Sequence, residues 1–335
     1  MNAISINVST VQPSYLPAQG WLSRHRIPLA LVVISTLAYT ATAIGTGQMA
    51  QLSLAGIMGL LQRMVALGLV ALGQNFVMLA GSIDLSVANL VSVSAVLGAY
   101  FMQGDAGLIL PAVGGVLLIA GLVGAINGVL VARLGISPLI ATLSTGLVLQ
   151  GVLTVAFTSM EGAIPKAFQW LAYGDWGGVP IAVALLAIVA VASAWTLRRT
   201  VAGFRLYAVG GNAQTARLAG IQTASVVVGA HVAASVMCGV AGLYLASWLG
   251  AGTPWVGRDG GYDLGSIAVV VIGGTLLSGG KGGVGGTMAG VYTFSVIDAV
   301  FNMLQIDPFL SQVLSGAIVV AAVGATTIRQ KGHVA

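Results

Sequence analysis

Charge is what this sequence has least of. Only 6% of its 335 residues are Asp, Glu, Lys or Arg, against roughly 25% in a soluble domain. A chain this long could bury a large core, but it has too few charged groups to cover the outside of one in water. Cysteine is almost absent. The single Cys238 permits no internal disulfide and lies in an apolar run, where it reads as a small buried hydrophobe. There are no low-complexity tracts or soluble-domain linkers. The carboxylates are scattered over distant loops, with no metal-ligand spacing and no nucleophile–base constellation, so the chain offers an enzyme little to work with and calls for no metal or cofactor. The formal net charge of +5 comes from basic residues spread over short loops, which argues against a nucleic-acid surface and for membrane orientation.

What the chain does have is apolar length. Hydrophobic residues make up 57% of it and the mean hydropathy is +0.99. Its 48 glycines are about twice the usual share of ~7%. Small residues let membrane helices approach closely. A helix needs about 20 mainly apolar residues to cross the hydrocarbon. Ten stretches qualify: roughly 27–46, 55–80, 86–103, 107–131, 137–157, 179–197, 225–250, 263–279, 284–303 and 309–328. The first follows Arg24-His25-Arg26 and carries Ala41-Thr42-Ala43, features of a signal peptide. Its apolar stretch, Ile27 to Ile44, exceeds the ~7–15 residues of such a leader, so it reads as a retained helix. With the N-terminus inside, Arg24, Arg26, Arg133, Arg198, Arg199, Arg205, Arg217, Lys281, Arg329 and Lys331 fall on the cytoplasmic side, and only Lys166 and Arg258 outside. That asymmetry is the positive-inside bias. The reading is an all-α integral membrane protein: a cytoplasmic segment 1–26, a transmembrane domain 27–328 and a cytoplasmic tail 329–335.

An internal echo points to two halves. Leu134 to Ile140 resembles Leu304 to Leu310 at an offset of 170 residues, and Ile83-Asp84-Leu85-Ser86 resembles Tyr262-Asp263-Leu264-Gly265 at an offset of 179. These pairs match spans 3 to 5 with spans 8 to 10. A shift of five helices reverses direction, so the expectation is two inverted five-helix repeats, with a transport route near their interface.

The longest interior loop runs from Arg198 to Ile221. Asn212 suits an N-cap, Ala213 to Ala219 would make about two helical turns, and Gly220 suits the left-handed position that follows. This short capped helix is either a solvated loop element or a docking element for a cytoplasmic partner. Tyr207 to Ile221 resembles the cytoplasmic loop of ribose-type ABC sugar permeases, and Gly81-Ser82-Ile83-Asp84-Leu85-Ser86-Val87 resembles that family's G-G-I-D-L-S-V motif. Asn127-Gly128, Gly135 to Leu143 and Ile272 to Gly280 match in the same order, so the likeness covers roughly 55–328. The resemblance implies an import permease paired with a second permease subunit, identical or not. It also implies a cytoplasmic ATP-binding subunit that hydrolyses ATP and a periplasmic sugar-binding protein. Loop 198–221 would carry the coupling element, with Gly203, Tyr207, Gly210, Gly211, Asn212, Ala216, Arg217, Leu218 and Gly220 as its residues. Substituting Gly210-Gly211 or Arg217 should then uncouple ATP hydrolysis from uptake. Three features depart from the family: Arg63 inside span 2, two tryptophans with Arg258-Asp259 between residues 248 and 262, and Asp263 where glutamate is expected.

Other polar residues need reasons, because a charge at mid-membrane costs at least ~2.5–3.5 kcal/mol. Asp84 and Asp263 sit at span ends, where each either caps a following helix or serves gating or docking. Arg63 and Asp298 have depths that could match, which suggests an intramembrane ion pair. His231 reads as packed or interfacial rather than as a proton relay. A sugar offers hydroxyls and no charge, so Gln74, Asn75, Asn127, Gln150 and Asn302 are candidates for the route, each weighed against a role as interhelical glue. Gly280-Lys281-Gly282-Gly283-Val284-Gly285 has the spacing of a dinucleotide motif but follows a membrane span, and reads as a tight turn. The competing classes are a permease for amino acids or nucleosides, and an ion-driven transporter, which would show buried acidic or histidine chains at mid-membrane.

Overall fold

The computed structural model describes residues 21–307, 310–314, 316–317 and 320. In chain order the helices are α1 (Trp21–Gly45), α2 (Leu54–Leu79), α3 (Val87–Met102), α4 (Ile109–Ala132), α5 (Pro138–Ala156), α6 (Lys166–Tyr173), α7 (Ile181–Arg199), α8 (Val201–Gly211), α9 (Ala213–Leu218), α10 (Thr223–Leu249), α11 (Val256–Asp259), α12 (Tyr262–Ile272) and α13 (Val284–Met303). A small antiparallel hairpin pairs Asp175–Trp176 with Val179–Pro180. Seven helices, α1, α2, α4, α5, α7, α10 and α13, are long and apolar enough to cross a membrane. The span expected at 309–328, like the terminal segments, falls largely outside the described residues.

Two expected spans come out short. α3 has 16 residues, and α12 has 11 where hydropathy predicts 263–279. An 11-residue helix rises only about 16 Å, half the hydrocarbon thickness. It stops because Gly274 adopts φ +93°. Gly274 N–H then donates to Val271 O (2.9 Å) and Thr275 N–H to Val270 O (3.1 Å), a pairing that closes the last turn and turns the chain away from the axis. Hydropathy registers the apolar residues that follow but not this backbone termination.

Packing is centred on α10, which lies against α2, α3 and α4. Where α4 crosses it, a methyl on Gly124 would sit 2.5 Å from His231 O, and one on Gly128 2.6 Å from Val228 Cα. Gly73 of α2 meets Ala234 in the same way, and Gly242 of α10 meets Val91 O of α3. Lipid tails are as apolar as leucine, so close backbone approach through small residues, rather than hydrophobic burial, brings these helices together. Leucine, isoleucine and valine on the outer faces of α1, α4, α5 and α7, such as Ile34, Leu118, Val148 and Ile188, stay exposed, as a lipid-facing perimeter requires.

Candidate coupling and translocation site

Two non-helical stretches, 80–86 and 273–283, lie among the packed helices. Backbone polar groups at such depth must be satisfied by neighbouring side chains. Consecutive helical positions point about 100° apart, and Gln74 and Asn75 of α2 use that difference to reach one stretch each. The Gln74 amide, oriented to satisfy both partners, donates to Asp84 O (3.1 Å) and accepts from Asp84 N–H (3.3 Å). Asn75 Oδ1 accepts from the Thr275 hydroxyl (2.9 Å). Thr142 of α5 accepts Leu85 N–H (3.0 Å), and Asp84 Oδ1 accepts both the N–H (2.8 Å) and the hydroxyl (2.6 Å) of Ser86, whose oxygen takes a bond from Asn127 (2.9 Å). Asp84 is fully buried. Its other oxygen, Oδ2, lies 3.3 Å from Nδ1 of the equally buried His231, and His231 Nε2 lies 3.0 Å from Ser82 Oγ. The two ring nitrogens of His231 thus bridge the Asp84 carboxylate and the Ser82 hydroxyl.

The two stretches meet under α8. Gly210 leaves so little room that a methyl there would lie 1.8 Å from Leu79 O and 2.6 Å from Gly280 N. Gly280 N–H donates to Leu79 O (3.1 Å), which joins the second stretch to the end of α2. Gly81 (φ +78°) and Gly279 (φ +87°) complete the contact, both in the left-handed region: a methyl on Gly279 would lie 2.8 Å from Gly81 Cα, and one on Gly81 3.6 Å from Ser278 O. Tyr207 of α8 donates its hydroxyl to Gly282 O (3.0 Å), and burial pushes that phenol above its ordinary pKa, so it stays a donor. At the start of α8, a methyl on Gly203 would come within 2.4 Å of Thr196 O, so α7 and α8 form a tight corner.

α9 agrees with the expectation in its details. Asn212 Oδ1 accepts Thr215 N–H (2.9 Å). Gly220 (φ +81°) donates to Arg217 O and Ile221 to Ala216 O, which closes the helix. Ala216 is buried, whereas Arg217 is exposed and Leu218 is 84% exposed. Replacing Asn212 with alanine should cost about 1 kcal/mol of α9 stability. Amide exchange at Thr215 should then quicken about fivefold; unchanged exchange would mean that the cap holds nothing.

At the opposite end of the bundle an open pocket of about 250 Å³ is lined by Asn89, Gln150, Thr154, Thr158, Trp255 and Arg258 among others. Of the five expected route residues, Gln150 therefore faces an opening. Asn302 is exposed beside a smaller pocket that also holds Arg63. Gln74, Asn75 and Asn127 are instead fully buried and hold the two stretches in place. Asp263 lies in the first turn of α12, its carboxylate accepting Leu264 N–H (2.8 Å). The expected Arg63–Asp298 pair is a correction. Both side chains are exposed, and the ion pairs within 4.0 Å among the described residues are His231–Asp84 and Arg258–Asp259. A shared depth did not mean a shared helix face.

Residues 56–323 match the family model described as "Branched-chain amino acid transport system / permease component". The chain belongs to that permease family. Among curated relatives, it is 35% identical over 280 residues to the ribose import permease protein of Bacillus subtilis (strain 168), covering 80% of this chain and 83% of the relative. It is 32% identical over 296 residues (88% and 84%) to the L-arabinose ABC transporter permease protein of Azospirillum brasilense. It is 31% identical over 257 residues (76% and 78%) to the D-allose transport system permease protein of Escherichia coli (strain K12). No solved structure matches. The family match takes in both non-helical stretches, α8 and α9 of this permease. Sequence reasoning missed His231 as the partner of Asp84, and Ser82, Thr142 and Thr275 as supports. The usable signal was an ionisable residue in one apolar run facing the single carboxylate of another.

Proposed function

We propose that this chain is the membrane-spanning subunit of an ATP-driven importer for a small, ribose-like sugar. It would sit in the inner membrane with α8 and α9 on the cytoplasmic side, work beside a second permease subunit, and take ligand from a periplasmic sugar-binding protein. ATP would be hydrolysed on a separate cytoplasmic subunit that docks on α9, with Gly203, Tyr207 and Gly210 as the corner that transmits its movement. The observation that carries this reading is the likeness to the ribose permease over four-fifths of both chains. The ten-span, inverted-repeat arrangement belongs to the same reading. In its support, each half contains a stretch where helix gives way to irregular backbone, glycine-rich in 273–283, and the two stretches meet. Discontinuous helices of this kind mark the working region of many transporters.

The outer pocket favours a sugar over an amino acid. Amides, hydroxyls and Trp255 line it and suit hydroxyl groups and an apolar sugar face; Arg258, also in the lining, lies 3.9 Å from the Asp259 carboxylate, and no carboxylate stands among the lining residues to receive an ammonium group. Uptake of labelled ribose, arabinose, allose and leucine by cells lacking this chain tests the choice. Uptake of one of the sugars should fall about tenfold or more and return when the chain is restored, a change worth about 1.4 kcal/mol per decade. Loss of leucine uptake with the sugars unaffected would replace this reading with an amino-acid importer.

A further inference from the structure

The buried Ser82–His231–Asp84 chain has no place in a conduit that needs only neutral polar groups, and its position points to a mechanical role. The His231 imidazole contacts both ends of the same short segment, Ser82 at Nε2 and Asp84 at Nδ1. All three residues are buried, Ser82 at 3% and the other two at 0% exposure. α10, which carries His231, begins at Thr223, with only four residues between it and the end of α9 at Leu218. From Thr223 to His231 is eight steps of unbroken helix, about 12 Å. On its other side the same segment is touched by Gly210 of α8, through Gly81 and Leu79 O. The Gly81–Ser86 segment is therefore held from two directions by the two helices that flank α9.

We propose that His231 is a positioning residue for transport. Through Ser82 and Asp84 it makes the Gly81–Ser86 segment follow α10, so that a displacement of α9 reaches the segment both by α8 and by α10. Without it α8 would push on a segment free to stay behind, and hydrolysis would proceed with less sugar moved. The segment is bonded so fully because a bistable element transmits motion only if its contacts are discrete. Asn127 and Gln74 fix its inner shape, and His231 joins it to the moving helix.

This inference rests on the import reading, and the test separates the two. The complete complex of permease, ATPase and binding protein is reconstituted in vesicles, and ribose moved per ATP hydrolysed is measured for the folded, size-fractionated complex. His231→Leu is expected to lower the ratio about tenfold, with stimulation of the ATPase by ribose-loaded binding protein retained, because α9 is untouched. His231→Gln, whose amide supplies one donor and one acceptor, is expected to recover most of the ratio. Should His231→Leu fail to accumulate, Ser82→Ala, which removes one bond and leaves the carboxylate paired, is expected to lower the ratio about threefold. Transport and hydrolysis that fall together at an unchanged ratio, or a ratio equal to wild type, overturn the inference. A wild-type complex that hydrolyses ATP and moves no ribose or other sugar overturns the import reading and this inference with it.

Discussion

Replacing Gly210 with alanine should abolish uptake, while the same change one residue later, at Gly211, should be nearly silent. The two glycines end α8 side by side and look equivalent in sequence, but their surroundings differ. A methyl at 210 would lie 1.8 Å from Leu79 O and 2.6 Å from Gly280 N, against backbone atoms that cannot rotate away. To admit it, the junction of the two non-helical stretches must open and the bond from Gly280 N–H to Leu79 O must break. Overpacking of a close contact costs typically about 1–3 kcal/mol and more when backbone must move. At Gly211 a methyl meets nothing within 4 Å, and alanine in a helix gains about 0.5–1 kcal/mol over glycine. Uptake per inserted permease should therefore fall about 100-fold or more in Gly210→Ala and stay within about twofold of wild type in Gly211→Ala. Equal effects of the two changes would show that the junction is looser than its contacts indicate.

The second large effect is expected on the exposed face of α9, and it should look different. Arg217→Glu and Leu218→Asp alter exposed side chains of the permease, Leu218 being 84% exposed. Insertion, melting and detergent behaviour should be those of wild type. If α9 is where the ATPase docks, reversing one charge and charging one apolar knob at the centre of a small interface each costs about 2 kcal/mol or more. Uptake should then fall about 30-fold, and hydrolysis should no longer rise with loaded binding protein. Normal uptake in both variants would remove α9 from the coupling route. The contrast with Gly210→Ala matters: one change damages the permease, whereas the other leaves it whole and disconnected.

Much of this architecture could be read from the chain because the signals are local. Asn212 followed eight residues later by Gly220 gives both ends of α9, since cap and left-handed closure depend on residues within one turn of them. The long apolar helices α1, α2, α4, α5, α7, α10 and α13 are likewise a matter of composition over about 20 residues. What could not be read depends on distant partners. That α12 stops at Ile272 is set by Gly274 and by backbone closure, while Leu276 and Leu277 beyond it extend the apolar window. Gln74, Asn75 and Asn127 have the side chains of route residues, but which of them faces an opening is decided by segments up to 200 positions away, as with Asn75 and Thr275. The Asp84–His231 pair joins residues 147 apart. Matching charges by depth alone chose Arg63 and Asp298 in its place, because depth carries no information about which helix faces meet.

Coupling of this kind requires α9 to lie at the cytoplasmic surface under an ATPase, and one labelling experiment tests that directly. The native Cys238 is fully buried, so a Leu218→Cys permease carries one reactive thiol. A membrane-impermeant maleimide should label it in inside-out vesicles, should fail to label it on intact spheroplasts, and should be blocked when the ATPase subunit is bound. Labelling from outside the cell, or labelling indifferent to the ATPase, would contradict the account.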